Sequence, residues 1–238
     1  MRTNEQINLI KKSQSDPVQH LNFITQEDIK KIVDYYSQNE NEVETKSTGP
    51  KCLYIKEGDG VLDNVIDKLR NFYGNFKVRN AQIFDVATPH VIHIDDGKDL
   101  PNSYKAFTLP LRVEWEQNAI DKNMARAKLV FFDQHYYGGP VKFFNGETVN
   151  ENTKVHYNTP LTNYNDVEGT NNKGIPEEVK NLLTHLRPHW LEGLSVQCYF
   201  PWLSGSCIAF NSLQLHSASD FNRQGIIRKL GVSIFTTI

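Results

Sequence analysis

The sequence has little cysteine, no long apolar run and no excess of charge of either sign. Its three cysteines, Cys52, Cys198 and Cys207, are odd in number and far apart along 238 residues. That spacing fits neither a zinc site nor a disulfide framework, and it points to a reducing, cytoplasmic setting. No apolar stretch approaches the roughly 20 residues of a membrane span, so no membrane partner is expected. Met1 to Lys12 carries basic residues without the apolar region or cleavage site of a secretory leader. The formal net charge is −2 and there is no polybasic block, which argues against a nucleic-acid partner held through its phosphates. Internal repeats and low-complexity tracts are also missing. What is left is a globular chain whose 238 residues, at roughly 100–200 per domain, suggest one sizeable domain or at most one plus an appendage.

The first 75 residues read as a helical part. Thr25 and Asp28 stand at capping-box spacing, and Ile29, Ile32, Val33 and Tyr36 follow at i, i+3, i+4 and i+7, one apolar stripe. That helix should stop in the polar run from Ser37 to Lys46. A second should start after Asp59, carry Val61, Leu62, Val65, Ile66, Leu69 and Phe72, and end at Gly74. Each has one apolar face, so both read as covers for another layer.

From Phe76 onward the texture changes to short β-branched and aromatic runs separated by turn residues. Strands are expected at Gln82 to Val86, Ala106 to Glu114, Ala127 to Asp133, Leu194 to Phe200, Ser206 to Asn211 and Arg228 to Thr236. The stretch from Asn145 to Gly174 is rich in Asn, Thr, Glu and Gly, and a loop of that length reads as a lid, a binding loop or a disordered segment. Pro176-Glu177-Glu178 reads as a helix start, with Leu182, Leu183 and Leu186 as its buried side. Helices first and then many strands suggest a mainly β fold, a sandwich or barrel with helices flanking one face.

Of eight histidines, one stands out for its neighbours. His93 and Asp95 are two residues apart, and on an extended strand positions i and i+2 face the same side. A distal His216, 123 residues later, would complete a set of two imidazoles and one carboxylate. Such a facial triad leaves open coordination positions, as non-haem Fe(II) oxygenases require. His90 and Asp96 compete for the same roles. However, His90 and His93 have helical spacing in a segment that Pro89 opens as extended chain, and Asp96-Gly97 has the character of a turn.

With these blocks in place, the sequence from about Phe76 to Ile238 resembles the iron- and 2-oxoglutarate-dependent dioxygenases. The residues that carry the resemblance are His93-Ile94-Asp95, the run Lys128 to Gln134, and Phe210 to His216 followed by Arg228-Lys229. The resemblance implies a double-stranded β-helix (jelly-roll) core, a single domain with residues 1–75 packed on a 76–238 core, and Fe(II), 2-oxoglutarate and O2 as cofactor and co-substrates. It implies that His93, Asp95 and His216 bind iron, and that a basic residue past the distal histidine pairs with the far carboxylate of 2-oxoglutarate. Arg228 and Lys229 lie 12 and 13 residues past His216, and only one of the two can face inward. Lys229 shares its parity with the small residues Gly231 and Ser233, which favours it, with Arg228 as the alternative. Tyr104, Lys105 and Thr108 are candidates for a hydrogen bond to the co-substrate, and Gln134, His135, Tyr136 and Tyr137 for the substrate mouth. A carboxylate at Asp95 implies hydroxylation rather than halogenation, on an unidentified small molecule or peptide side chain. The competing readings are a metal-free binding or structural jelly roll and a cupin-like enzyme using another metal.

Overall fold

Four helices and thirteen strands lie within the parts of the chain that the computed structural model describes, residues 3–46, 49–56, 58–95, 102–137, 141–142, 154–155 and 167–238. The helices are α1 (Asn4–Lys12), α2 (Gln26–Gln38), α3 (Asp63–Tyr73) and the single turn α4 (Glu177–Lys180). The strands are β1 (Val18–His20), β2 (Glu44–Thr45), β3 (Lys51–Tyr54), β4 (Lys77–Val86), β5 (Ser103–Trp115), β6 (Lys128–Tyr136) and β7 (Val141–Lys142). They continue with β8 (Lys154–Val155), β9 (Val167–Glu168), β10 (Val196–Pro201), β11 (Cys207–Asn211), β12 (Gln214–Ala218) and β13 (Ile226–Thr237). None of the described helices is long and apolar enough to cross a membrane.

Two sheets carry the architecture. The larger runs β1-β11-β5-β13-β4-β3-β2 and the smaller β10-β6-β12, with β9 added to β6. Every pairing in these two sheets is antiparallel. Alternation along the central strands sends one set of side chains between the sheets and the other set to the outer face. Phe131, Phe210, Phe235 and Ala106 meet between the two sheets. On the outer face, Ile83, Phe107, Leu109, Val232 and Ile234 pack under Ile29, Ile32, Val65 and Leu69 of α2 and α3. The result is the jelly-roll core expected, with helices on one face.

The local signals explain the two long helices. Thr25 Oγ1 accepts from the Asp28 amide at 3.1 Å, and Asp28 Oδ2 accepts from the Thr25 amide at 2.9 Å, closing the box at the start of α2. The second helix ends on Gly74, whose φ of 76° suits a residue without Cβ.

The N-terminal part is less helical than its sequence suggests. β1 pairs with β11, and β3 pairs with β4, so residues of the first 75 extend the larger sheet on both sides. Strands of three and four residues show no periodicity of their own, and these form because a neighbouring edge offers backbone partners. The helix α1 was not anticipated either, because it buries only Ile10. Helix α4 starts where expected but stops after one turn, and Leu183 and Leu186 are buried beyond its end. Most of the polar stretch 145–174, the Asp96-Gly97 turn, Gly138-Gly139-Pro140 and His156 lie outside the described residues.

Candidate metal centre

Backbone pairing across the sandwich brings the His-x-Asp segment to the distal histidine. The His93 amide donates to the His216 carbonyl at 3.0 Å, and the His216 amide returns the bond at 3.1 Å. The Asp95 amide then donates to the Ser212 carbonyl at 2.9 Å. Where a strand was expected, the structure has one antiparallel bridge, enough to hold residues 93 and 95 extended. Their side chains and that of His216 converge, with one donor atom from each lying within 4.8 Å of the others. Asp95 Oδ1 is 3.5 Å from His93 Nε2, and Asp95 Oδ2 is 3.6 Å from His216 Nε2.

Both imidazoles are oriented by carbonyls two residues earlier in the chain. His93 Nδ1 donates to the Val91 carbonyl at 2.8 Å, and His216 Nδ1 to the Gln214 carbonyl at 3.0 Å. Spending Nδ1–H in this way leaves Nε2 as the lone-pair nitrogen, aimed at Asp95, which is how metal-binding histidines are held. Burial, reinforced by His93, pushes His216 down to about 4, so its ring is neutral at physiological pH. Burial would raise the Asp95 carboxyl, but the adjacent His216 and His93 outweigh it and hold the group below its usual range. The cluster is therefore a carboxylate between imidazoles, a donor set suited to a divalent first-row metal.

These groups open into a cavity of about 300 Å³. Lys229 reaches it from β13 and is buried to 3% exposure. Its Nζ lies 4.1 Å from the Trp202 ring centre and 4.6 Å from that of Phe221. It makes no ion pair among the described residues, and burial pushes it down to about 7. Gly231, two residues on, is required by this arrangement. A Cβ there would stand 2.7 Å from Phe84 Cζ and 3.0 Å from Trp202 Cζ2, so only glycine lets the aromatic wall close behind Lys229.

The other sequence candidates are distributed differently. Arg228 points to the outer face, where its Nε pairs with Asp85 at 2.8 Å and its Nη1 reaches Glu114 at 3.7 Å. Strand alternation excludes it from the cavity once Lys229 is inside, which corrects its candidacy as a co-substrate anchor. Tyr104 is also displaced from that role, since its hydroxyl donates to the Tyr73 carbonyl at 3.1 Å and it does not line the cavity. Lys105 bonds Ser15 Oγ and Asn211 Oδ1, again away from the cavity. Thr108 does line it. Gln134, His135, Tyr136 and Tyr137 do not; Tyr136 and Tyr137 pack in a separate apolar cluster, and Gln134 binds Gly169 and Ser195. His90 lines the cavity, with its Nδ1 3.1 Å from His93 Nδ1, but it falls outside the converging triad. Trp202 and Arg79 are lining residues that carry no sequence signal; Arg79 reaches the cavity where the β4–β13 register slips, Phe235 facing Asn80 and Thr236 facing Val78.

No protein-family model and no curated protein matches this sequence. Solved structures do match its fold. The non-heme alpha ketoglutarate dependent carbocyclase SnoK from nogalamycin biosynthesis superposes with a TM-score of 0.54 at 10% identity, covering 99% of this chain and 83% of that one. The non-heme alpha ketoglutarate dependent epimerase SnoN from the same biosynthesis gives 0.52 at 10% identity, covering 98% and 80%. At this identity the likeness is one of fold: the chain is built on the same jelly-roll framework as these two enzymes, with His93, Asp95 and His216 gathered inside it.

Proposed function

We propose that the chain is a non-haem Fe(II)- and 2-oxoglutarate-dependent oxygenase acting on an unidentified small molecule or peptide side chain. In this reading His93, Asp95 and His216 hold the iron, and Lys229 pairs with the far carboxylate of 2-oxoglutarate. One observation carries it: the triad and a buried cation without a carboxylate partner among the described residues share a single cavity. The shared fold with two alpha ketoglutarate dependent enzymes supports it independently.

The donor set fits ferrous iron, since two imidazoles and one carboxylate occupy one face and leave positions for a chelating keto acid and for dioxygen. When bound, the iron with O2 and 2-oxoglutarate supplies oxidation of a C–H bond, with succinate and CO2 released. The protein's own share is positioning and charge. The Val91 and Gln214 carbonyls fix both rings, so the Nε2 lone pairs need no reorganisation when the metal arrives. Lys229 supplies a positive charge where Trp202 and Phe221 exclude water, and a carboxylate there replaces the hydration that the amine lost. Thr108 and Ser233 line the same cavity and offer hydroxyl donors to the co-substrate. Asp95 keeps the carboxylate position filled, which favours hydroxylation or a related oxidation over halide transfer.

The test is anaerobic Fe(II) titration, then calorimetric titration with 2-oxoglutarate, then a succinate-release screen. Wild type should bind both, and Asp95→Ala should lose iron binding and with it 2-oxoglutarate turnover. Metal uptake without any 2-oxoglutarate binding would instead favour a cupin-like enzyme. Absence of metal uptake would favour a binding or structural jelly roll.

A further inference from the structure

Away from the metal cavity, the register of the larger sheet assembles a second group of reactive side chains. Asn211 of β11 stands directly opposite Lys105 of β5, a spacing that brings the two side chains together. β1 pairs with the same β11, Val18 opposite Ala209, so the link from α1 into β1 runs up to Asn211. There the Asn211 amide holds the backbone of Ser15 on both sides. Its Oδ1 accepts from the Ser15 amide at 3.3 Å, and its Nδ2 donates to the Ser15 carbonyl at 2.9 Å. Ser15 Oγ then lies 2.7 Å from Lys105 Nζ, and Asn211 Oδ1 lies 3.3 Å from the same nitrogen.

The two partners differ in exposure. Lys105 is buried to 3% exposure, whereas Ser15 is exposed. Burial pushes the amine down to about 8, and no neighbouring charge acts against it. The groups that face it are the Tyr73 ring from α3, the Tyr104 ring from its own strand, Asn211 from β11 and Ser15 from the link. Burial raises both phenols, so none of these groups is charged near pH 8. The ring centres lie 5.7 and 5.3 Å away, at the outer end of cation–π range, and offset little of the desolvation. Asp16, next to Ser15, is engaged by Gln197 Nε2 at 2.7 Å. Thr236 of β13 fixes the lysine backbone, its Oγ1 accepting from the Lys105 amide at 3.2 Å and donating to the Lys105 carbonyl at 2.8 Å. As a neutral amine, Lys105 gives one N–H to Asn211 Oδ1 and turns its lone pair to the Ser15 hydroxyl. A nucleophile in hydrogen-bond reach of a base, with a third group orienting that base, is how activated serines are recognised.

We propose that Ser15 and Lys105 form a serine–lysine dyad that takes an acyl group from an activated ester or thioester. Lys105 Nζ accepts the hydroxyl proton as Ser15 Oγ bonds to the acyl carbon. The bond from that carbon to the donor's oxygen or sulfur then breaks, and its electron pair leaves with the departing group, which recovers the proton from Lys105. Water resolves the Ser15 ester by the same route: Lys105 accepts a proton from water, the ester bond breaks, and Ser15 Oγ regains the proton as the free acid departs. Because Ser15 is exposed, water is not excluded, and the dyad suits activated donors rather than amides. Neither residue lines the metal cavity, so this chemistry stands apart from the oxygenase reading.

The test treats the full chain with 4-nitrophenyl acetate, follows 4-nitrophenolate release, and quenches samples in acid during the first turnover. Peptide mass mapping should find an acetyl group on Ser15 as an ester, which neutral hydroxylamine removes. Ser15→Ala should abolish that ester. Lys105→Met should slow its formation about a hundredfold, the scale of a lost general base. Ser13→Ala removes a nearby hydroxyl that donates to the Ile10 carbonyl, and it should leave the Ser15 ester unchanged. If Lys105→Met folds poorly, the wild-type pH profile decides the matter. The acylation rate should rise through a midpoint near 8 and then level off, as the amine loses its proton. Acetyl groups found only as hydroxylamine-resistant amides overturn the inference. So does a Ser15 ester that forms equally fast in Lys105→Met, or a rate that climbs without levelling up to about pH 10.

Discussion

Replacing Lys229 with methionine should stabilise the protein without co-substrate while abolishing 2-oxoglutarate binding. The amine is 3% exposed, and burial lowers it from 10.5 to about 7. A shift of that size corresponds to an upper bound of about 5 kcal/mol against the charged folded state. Attraction to the Trp202 and Phe221 rings offsets some of this, at about 0.5–2 kcal/mol each, so the net cost is about 1–4 kcal/mol. Because the folded pKa is depressed, the unfolded chain binds more protons between pH 7 and 10.5, and wild-type stability should rise with pH across that window. Below about pH 7 both states are protonated and the full cost applies. Urea denaturation of wild type and Lys229→Met from pH 6 to pH 10 should show the variant ahead by about 1–4 kcal/mol at pH 6, with the gap closing toward pH 10. For binding the sign reverses: 2-oxoglutarate needs the ammonium form, so its affinity for wild type should fall as pH rises above about 7. A variant less stable than wild type at pH 6, or one that still binds 2-oxoglutarate normally, would refute the reasoning.

Two further substitutions separate the neighbours of Lys229. Arg228→Gln should leave 2-oxoglutarate binding intact but lower stability by about 1–2 kcal/mol, because it strips the cation from Asp85, a buried carboxylate that also accepts from the Tyr36 hydroxyl. Loss of 2-oxoglutarate binding with unchanged stability would reverse the assignment of the two basic residues. Gly231→Ala should cost about 1–3 kcal/mol in thermal or urea unfolding and weaken 2-oxoglutarate binding, since its Cβ would displace Phe84 and Trp202 from behind Lys229. An alanine variant matching wild type in both assays would show that this wall is not needed.

The amino-acid sequence alone located what depends on local chemistry. The Thr25–Asp28 box and the stripe Ile29-Ile32-Tyr36 specify a helix through contacts within four residues, and α2 forms there. Alternating β-branched runs marked the long strands for the same reason: two-residue periodicity is a property of the segment itself. The His-x-Asp pair and His216 were legible as donors because few side chains can bind a metal and extended spacing relates the first two.

Only the tertiary structure decided which partners meet. β1 and β3 are strands because β11 and β4 present open edges to them, information that lies far away in the chain. Arg228 and Lys229 are both basic and adjacent, and parity alone says only that they part company. Which of them is buried depends on which face of β13 the helices cover and on Gly231 leaving room for Phe84 and Trp202. Arg79 enters the cavity through one extra residue in a ladder, a register event visible only when both strands are in place. Periodicity within a segment follows from its own backbone geometry, whereas facing and register are set by what packs against it.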